Sequence, residues 1–185
     1  MFKTFQPRPA TPDDLSKLAR LGRETFIETF GPLYTPKDLN TFLEDVYSEK
    51  TVAQELADPN LTHQVIDNGE DLIAFIKIGP VHVPVENPAP DAMEIWQIYV
   101  RQEFLGHGLG KHLMTWADEE FKRRNAGEIY VSVFSENDRA ILFYQHHGFE
   151  KCGEYGFPVG DQIDLEWIMR RPALTSKNTE HPPPK

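Results

Sequence analysis

Cysteine is nearly absent: Cys152 is the single one in 185 residues. An intramolecular disulfide is therefore excluded, which suits a reducing compartment and predicts a cytoplasmic location. On an expected strand, Cys152 reads as a small buried residue. It has no activating neighbour in sequence, which argues against an acyl-enzyme route through it. Long apolar runs are missing too, since none approaches the ~20 residues that span a bilayer. Residues 1–7 lack the apolar stretch of a secretory signal, so neither secretion nor a membrane partner is expected. Basic residues are outnumbered, 19 Lys and Arg against 29 Asp and Glu, for a net charge of −10. A nonspecific nucleic-acid binder needs a basic face, so no nucleic-acid partner is expected, whereas a cationic substrate is compatible with this charge. The seven histidines form no His-x-x-x-His or Cys/His pair, and no metal site is predicted.

What is present suits one compact domain over residues 1–171, followed by a polar, proline-ended tail over 172–185 that reads as disordered. No internal repeat is found. Phe2 to Pro7 suits a first edge strand. Thr11-Pro12-Asp13-Asp14 is a helix start, with Thr11 as cap, and Leu15, Leu18, Gly22, Phe26 and Phe30 then share one face up to Gly31. Thr35-Pro36-Lys37-Asp38 repeats the signal, and a short helix near Val52 to Ala57 follows. His63 to Asp67 and Leu72 to Ile78 read as a hairpin turned by Asn68-Gly69. Val81 to Asp91, with Pro84, Pro88 and Pro90, reads as an exposed excursion. A central strand over Glu94 to Val100, a strand near Ile129 to Phe134, a helix over Asp138 to His147 and strands at Glu150 to Tyr155 and Ile163 to Met169 complete the order.

The most informative segment runs from Leu105 through Gly106, His107, Gly108, Leu109, Gly110 and Lys111 to His112 and Leu113. It links the central strand to a helix in which Leu109, Leu113, Ala117 and Phe121 share a face. A strand passing through glycines into a helix gathers unpaired N–H groups and the positive helix end at one point, an anion site suited to phosphate or pyrophosphate. The glycines let an anion approach the main chain. The spacing matches neither a Walker loop nor Gly-x-Gly-x-x-Gly. Taken alone, the segment is equally a plain tight turn.

Downstream, Val131-Ser-Val-Phe134 leads through Ser135-Glu-Asn137 into Asp138-Arg-Ala-Ile-Leu-Phe-Tyr-Gln-His-His-Gly148-Phe149. With the glycine loop this resembles the Gcn5-related N-acetyltransferase (GNAT) superfamily, whose loop reads Gln/Arg-x-x-Gly-x-Gly/Ala and whose second block reads Asn-x-x-Ala-x-x-Phe-Tyr-x-x-x-Gly-Phe. Asn137, Ala140, Phe143, Tyr144, Gly148 and Phe149 match throughout. Gly108 and Gly110 match in the loop, and Leu105 departs from the usual Gln or Arg, which removes one polar contact.

The resemblance implies an α/β (α+β) fold, a mixed, strongly twisted sheet of about six to seven strands with helices on both faces. It implies acetyl-CoA as co-substrate, no metal, and direct transfer of the acetyl group to an amine. Residues 105–111, Asn137, Ala140, Phe143 and Tyr144 would hold the cofactor, and the backbone of Ile98, Tyr99 and Val100 would pair with the pantetheine amides as an added strand. Homodimers are common in the family.

The chemistry sets further requirements. An alkylamine with a pKa of about 10.4 is free base in only ~1 molecule in 10³ at neutral pH, so a proton acceptor is needed, as is a donor for the leaving thiolate. Tyr144 is the candidate donor, with a half-buried core tyrosine as the alternative. Asn137 is either a cofactor contact or a helix cap. Glu94 on the central strand is the candidate base, with a solvated strand-end carboxylate as the alternative. Strand alternation would set Glu94, Trp96 and Ile98 on one face and Ile95, Gln97 and Tyr99 on the other.

For the acceptor, Glu24-Thr25-Phe26-Ile-Glu-Thr-Phe30, Gly110-Lys-His-Leu113 and Val159-Gly160-Asp161 are similar to bacterial spermidine/spermine acetyltransferases of the PaiA kind. The implied acceptor is a small amine, with a polyamine as one candidate. Glu24, Glu28, Glu44 and Asp45 would supply an acidic surface beside it. Peptide or protein amino groups, or a CoA-binding module without turnover, are the alternatives.

Overall fold

The computed structural model describes residues 5–174. Seven strands form one mixed sheet: β1 (Arg8–Pro9), β2 (Thr62–Asp67), β3 (Leu72–Pro80), β4 (Met93–Val100), β5 (Glu128–Phe134), β6 (Glu150–Val159) and β7 (Gln162–Pro172), in the order β1-β2-β3-β4-β5-β7-β6. Neighbours are antiparallel except β4 and β5, which run parallel and pair only from Met93–Ile95 to Ile129–Val131. Five α-helices flank it: α1 (Leu15–Phe30), α2 (Pro36–Tyr47), α3 (Glu49–Ala57), α4 (Leu109–Arg123) and α5 (Asp138–His146).

The helices begin where local chemistry dictates. Thr35 accepts from the Asp38 N–H to cap α2, and Ser48 accepts from the Thr51 N–H to cap α3. Gly31 ends α1, but in right-handed conformation (φ −48°), so the chain runs on as a 3-10 turn through Leu33 instead of closing with a left-handed cap.

Alternation along β3 splits the core in two. Ala74, Ile76 and Ile78 join Leu113, Ala117 and Phe121 of α4 and Ile141 of α5 on one face. Phe75 joins Leu18, Phe26, Phe42 and Leu43 of α1 and α2 on the other. Burying a side chain of this size is worth ~1.5–3 kcal/mol, so both layers are held by the sheet between them. No helix among the described residues is long and apolar enough to cross a membrane.

Several details depart from the sequence reading. The first strand is Arg8–Pro9, not Phe2 to Pro7. Prolines 7 and 9 lack the N–H that a longer ladder requires, and Phe2 lies outside the described residues. Cys152 is exposed, not buried. The β6–β7 register slips between Lys151 and Gly153, so Cys152 is the unpaired residue of a bulge. The domain boundary drawn at 171/172 falls inside β7, which runs to Pro172, and the Ala173 N–H still bonds Gly127 O; residues 175–185 of the expected tail lie outside the described residues.

Candidate active site

After Ile95, β4 and β5 part. Their parallel ladder stops, and the edge of β4 facing β5 is left open from Trp96 to Val100. A second irregularity accompanies it. Lys77 pairs with Gln97 and Ile78 with Ile95, so Trp96 is the extra residue of a β-bulge. The bulge reverses the facing of everything beyond it. Ile98 and Val100 pack with Ile95 against α4, whereas Tyr99 packs on the α1 side. The expected grouping of Glu94 with Ile98 is thus corrected, because strict alternation holds only in an unbulged strand.

A groove of ≈ 620 Å³ opens beside this edge. It is lined by Ile98, Tyr99 and Val100 of β4, by Leu105, Gly106, Gly108, Leu109, Gly110 and Lys111 of the turn into α4, and by Asn137, Ala140, Phe143 and Tyr144. His107, named with them from sequence, lies outside the groove; it is exposed, with its Nδ1 3.2 Å from Leu105 O. Gly106 and Gly108 have φ of +82° and +79°, the left-handed region open to glycine at little cost, and a Cβ on either would meet nothing within 4 Å. No side chain caps α4 at Gly108, so the N–H groups of its first turn are free to bond an external acceptor. Asn137 caps α5 by accepting from the Ala140 N–H at 3.1 Å, which leaves its amide NH₂ free for the groove it lines. Arg139, Gln102, Phe104 and His147 also line the groove and were not anticipated. Arg139 and His147 fall on unspecified positions of the second motif, where the pattern gives no signal.

A second cavity of ≈ 350 Å³ lies on the α1–α2 side of the parting strands. Ile98, Tyr99, Asn137, Ala140 and Tyr144 line both spaces, so the two share a wall there. Tyr144 is buried at 5 % exposure, its ring packed edge-on to Phe149, and burial pushes its phenol well above the usual tyrosine range, so the O–H stays protonated at neutral pH.

Four carboxylates line the second cavity: Asp45, Glu55, Asp164 and Glu166. Tyr34 donates to Asp164, Tyr155 donates to Glu166 at 3.2 Å, and burial raises the Glu166 carboxyl above the ordinary carboxylate value. Glu55 holds the buried Lys77 ammonium at 2.6 Å, and burial lowers that lysine's pKa against the opposing pull of Glu55. Phe26, Phe30, Phe42, Phe134, Phe157 and Trp96 supply aromatic wall between the charges.

The acidic surface expected from α1 and α2 is therefore built differently. Glu24 is paired with Arg101, Glu28 accepts from the Gln102 N–H at 3.0 Å and Glu44 from Arg23 at 2.8 Å, so only Asp45 of that set reaches the cavity. Asp164 and Glu166 were missed, although β7 carries a signal for them. Ile163 and Leu165, which alternate with them, point outward at 65 % and 46 % exposure, an inverted polar-in pattern.

Glu94 does not line either cavity. It is fully buried, with Oε2 accepting from the N–H groups of His82 (2.7 Å) and Val83 (3.0 Å). These bonds pin the start of the Val81–Asp91 segment, expected to be an exposed excursion, back onto the sheet.

Proteins of known sequence and structure resemble this arrangement. An uncharacterised N-acetyltransferase of Lactobacillus delbrueckii subsp. lactis is 28 % identical over 158 residues, covering 85 % of this chain and 91 % of its own. A spermidine N(1)-acetyltransferase of Thermoplasma acidophilum is 21 % identical over 172 residues, covering 91 % and 97 %. The crystal structure of the PaiA N-acetyltransferase of Thermoplasma acidophilum in complex with coenzyme A has a TM-score of 0.75 at 20 % identity, covering 92 % of this chain and 99 % of that one. At that identity it establishes the shared fold. The model of the acetyltransferase (GNAT) family matches residues 23–149, spanning both glycine turn and second motif, and the chain therefore belongs to that family of acetyltransferases.

Proposed function

We propose that the protein transfers the acetyl group of acetyl-CoA directly to a primary amine of a small polycation, with a polyamine as the acceptor class. The observation that carries this is the pair of cavities meeting at Tyr144, one with an uncapped helix N-terminus and an open strand edge, the other with four carboxylates. The first fits CoA. Free N–H groups at the start of α4, with Lys111 and Arg139 beside them, suit the pyrophosphate, and the open edge at Ile98–Val100 suits the pantetheine amides. Leu105 contributes apolar wall, and the backbone contacts do not depend on its side chain.

The second cavity fits a chain of methylenes between ammonium groups. Carboxylates attract the charges, aromatic faces accept both the methylenes and the cations, and the excess of negative over positive side chains concentrates a polycation. The spermidine acetyltransferase relative adds support for this class. Tyr144 lines both cavities, which supports it as the proton donor to the departing sulfur.

Thiol release from acetyl-CoA, followed over spermidine, spermine, putrescine and an alanine-ended peptide, tests the reading. The polyamines should give the highest kcat/KM. Preference for the peptide would overturn the acceptor class, and no release with any amine would overturn the activity itself.

A further inference from the structure

Glu94 lies behind another residue. His82, in the segment after β3, places Nδ1 2.7 Å from Glu94 Oε1, while its ring lies tilted against Trp96 with centroids 4.2 Å apart. Its side chain is 49 % exposed and lines the carboxylate cavity, in which Tyr144 also stands. Glu94 Oε1 stands beside Nδ1 at contact distance but off the line of a hydrogen bond, so the carboxylate marks one edge of the ring without fixing its tautomer. Nε2 has no hydrogen-bond partner among the described residues. The imidazole thus stands at the cavity wall between a buried carboxylate and the Trp96 indole.

We propose that His82 is the base that takes the proton from the acceptor ammonium, and that Glu94 is a positioning residue acting through it. The inference rests on the acetyltransferase reading above. Nε2 takes one N–H proton of the ammonium and passes it to solvent through the exposed ring. The freed nitrogen forms the C–N bond to the acetyl carbon, and the C–S bond breaks. Tyr144 gives its proton to the departing sulfur and recovers one from the second N–H, so one proton is released per amide formed. The groups facing the His82–Glu94 pair are Lys77 of β3, neutralised by Glu55 of α3, and Tyr155 and Glu166 of β6 and β7. A proton on the ring therefore meets more negative than positive charge. The bulge at Trp96 makes the arrangement, because it turns the indole under the imidazole and holds its Nε1 on Pro80 O at 2.8 Å, beside the His82 loop.

The test is the pH profile of kcat/KM for spermidine in the wild type, His82→Gln, Glu94→Gln and the double variant, with acetyl-CoA affinity and Tm measured on each. His82 is exposed enough that Gln costs no core packing. In the wild type, kcat/KM should rise less steeply with pH than free-amine formation requires and level below the amine pKa of about 10.4. His82→Gln should be slower by about 10²-fold at pH 7, and its kcat/KM should climb tenfold per pH unit toward the amine pKa near about 10.4, since only free amine then reacts. Glu94→Gln should lose part of the rate, and the double variant should be no slower than His82→Gln, as for a residue that acts through another. A His82→Gln profile parallel to the wild type, or additive losses in the double variant, overturns the proposal. A wild type that acetylates no amine overturns the underlying activity instead, before any variant is compared.

Discussion

Ile95 and Ile98 pack in the same core under α4, although strict strand alternation would set residues three apart on opposite faces. The bulge at Trp96 lies between them. It is the point at which β4 leaves β5, and one strand thereby lines the groove on its far half and anchors Glu94 on its near half. The family relation accounts for the fold, and this local irregularity accounts for the layout of the site.

Replacing Tyr144 by Phe keeps the ring against Phe149 and removes only the O–H. We expect kcat and kcat/KM to fall together by about 10²-fold, the lower end for a positioned acid because the CoA thiol, with a pKa of about 8.5, is already a fair leaving group. The deficit should shrink as pH rises past that value. Wild-type turnover at pH 7, with chemistry rate-limiting, would remove Tyr144 from the mechanism.

Gly108→Asp places a carboxylate at the start of α4, in space where a Cβ meets nothing. An acid at a helix N-terminus is locally favourable by ~0.3–1 kcal/mol, which offsets part of the cost of a positive φ, so the variant should fold. It should bind acetyl-CoA at least about tenfold more weakly by calorimetry, about 1.4 kcal/mol, since the carboxylate occupies the anion site. Undiminished affinity would move the cofactor elsewhere.

Gly22 lies where α1 meets Tyr47. A Cβ there would stand 2.3 Å from Tyr47 Cδ1, and Tyr47 is buried, with its OH accepting from Gln97 Nε2 at 3.1 Å. Gly22→Ala gains about 1 kcal/mol of helix propensity, and overpacking costs typically about 1–3 kcal/mol, so the clash should win. Urea denaturation should show a lower midpoint, and KM for the amine should rise because Tyr47 lines the proposed acceptor cavity. A stability equal to or above wild type would contradict this.

Asp14 accepts from Arg8 Nη1 and Nη2 at 2.8 and 2.9 Å and from the Thr11 N–H at 2.8 Å. The hydrogen bonds from Arg8 lead in holding its carboxyl down to about 2. Because the folded value is the lower one, this stabilisation is present above about pH 4 and is lost as pH falls toward 2. Arg8 is partly exposed, so about 1–2 kcal/mol is expected, less than the full shift implies. Denaturation midpoints between pH 2 and 6 should show this loss in the wild type and a flatter limb in Asp14→Asn.

Much of the site could be read along the chain, because its parts are local. Gly106 and Gly108 are set by the turn they make, Asn137 by the cap it provides, and Tyr144 by its place in the same helix as Ala140 and Phe143. Each depends on neighbours within a few residues, so a pattern records it. The order of helices and strands was legible for the same reason, from the helix starts at Thr11 and Thr35 and from the Asn68-Gly69 turn between β2 and β3.

By itself, then, the sequence determined the family, the succession of elements and the glycine turn, since these follow from short-range sterics and hydrogen bonding. Only the tertiary structure decided what lines the carboxylate cavity. Asp164 and Glu166 come from the last strand, Asp45 and Glu55 from early helices, and His82 from a proline-bearing segment that reads as an exposed excursion. The bulge at Trp96 was equally silent, because no residue type compels a register slip; it arises from fitting β4 against β3 on one side while parting from β5 on the other. Charges distant in sequence meet only when the sheet closes, and that packing, not any local signal, set which carboxylates face the cavity and which are spent on Arg23 and Arg101.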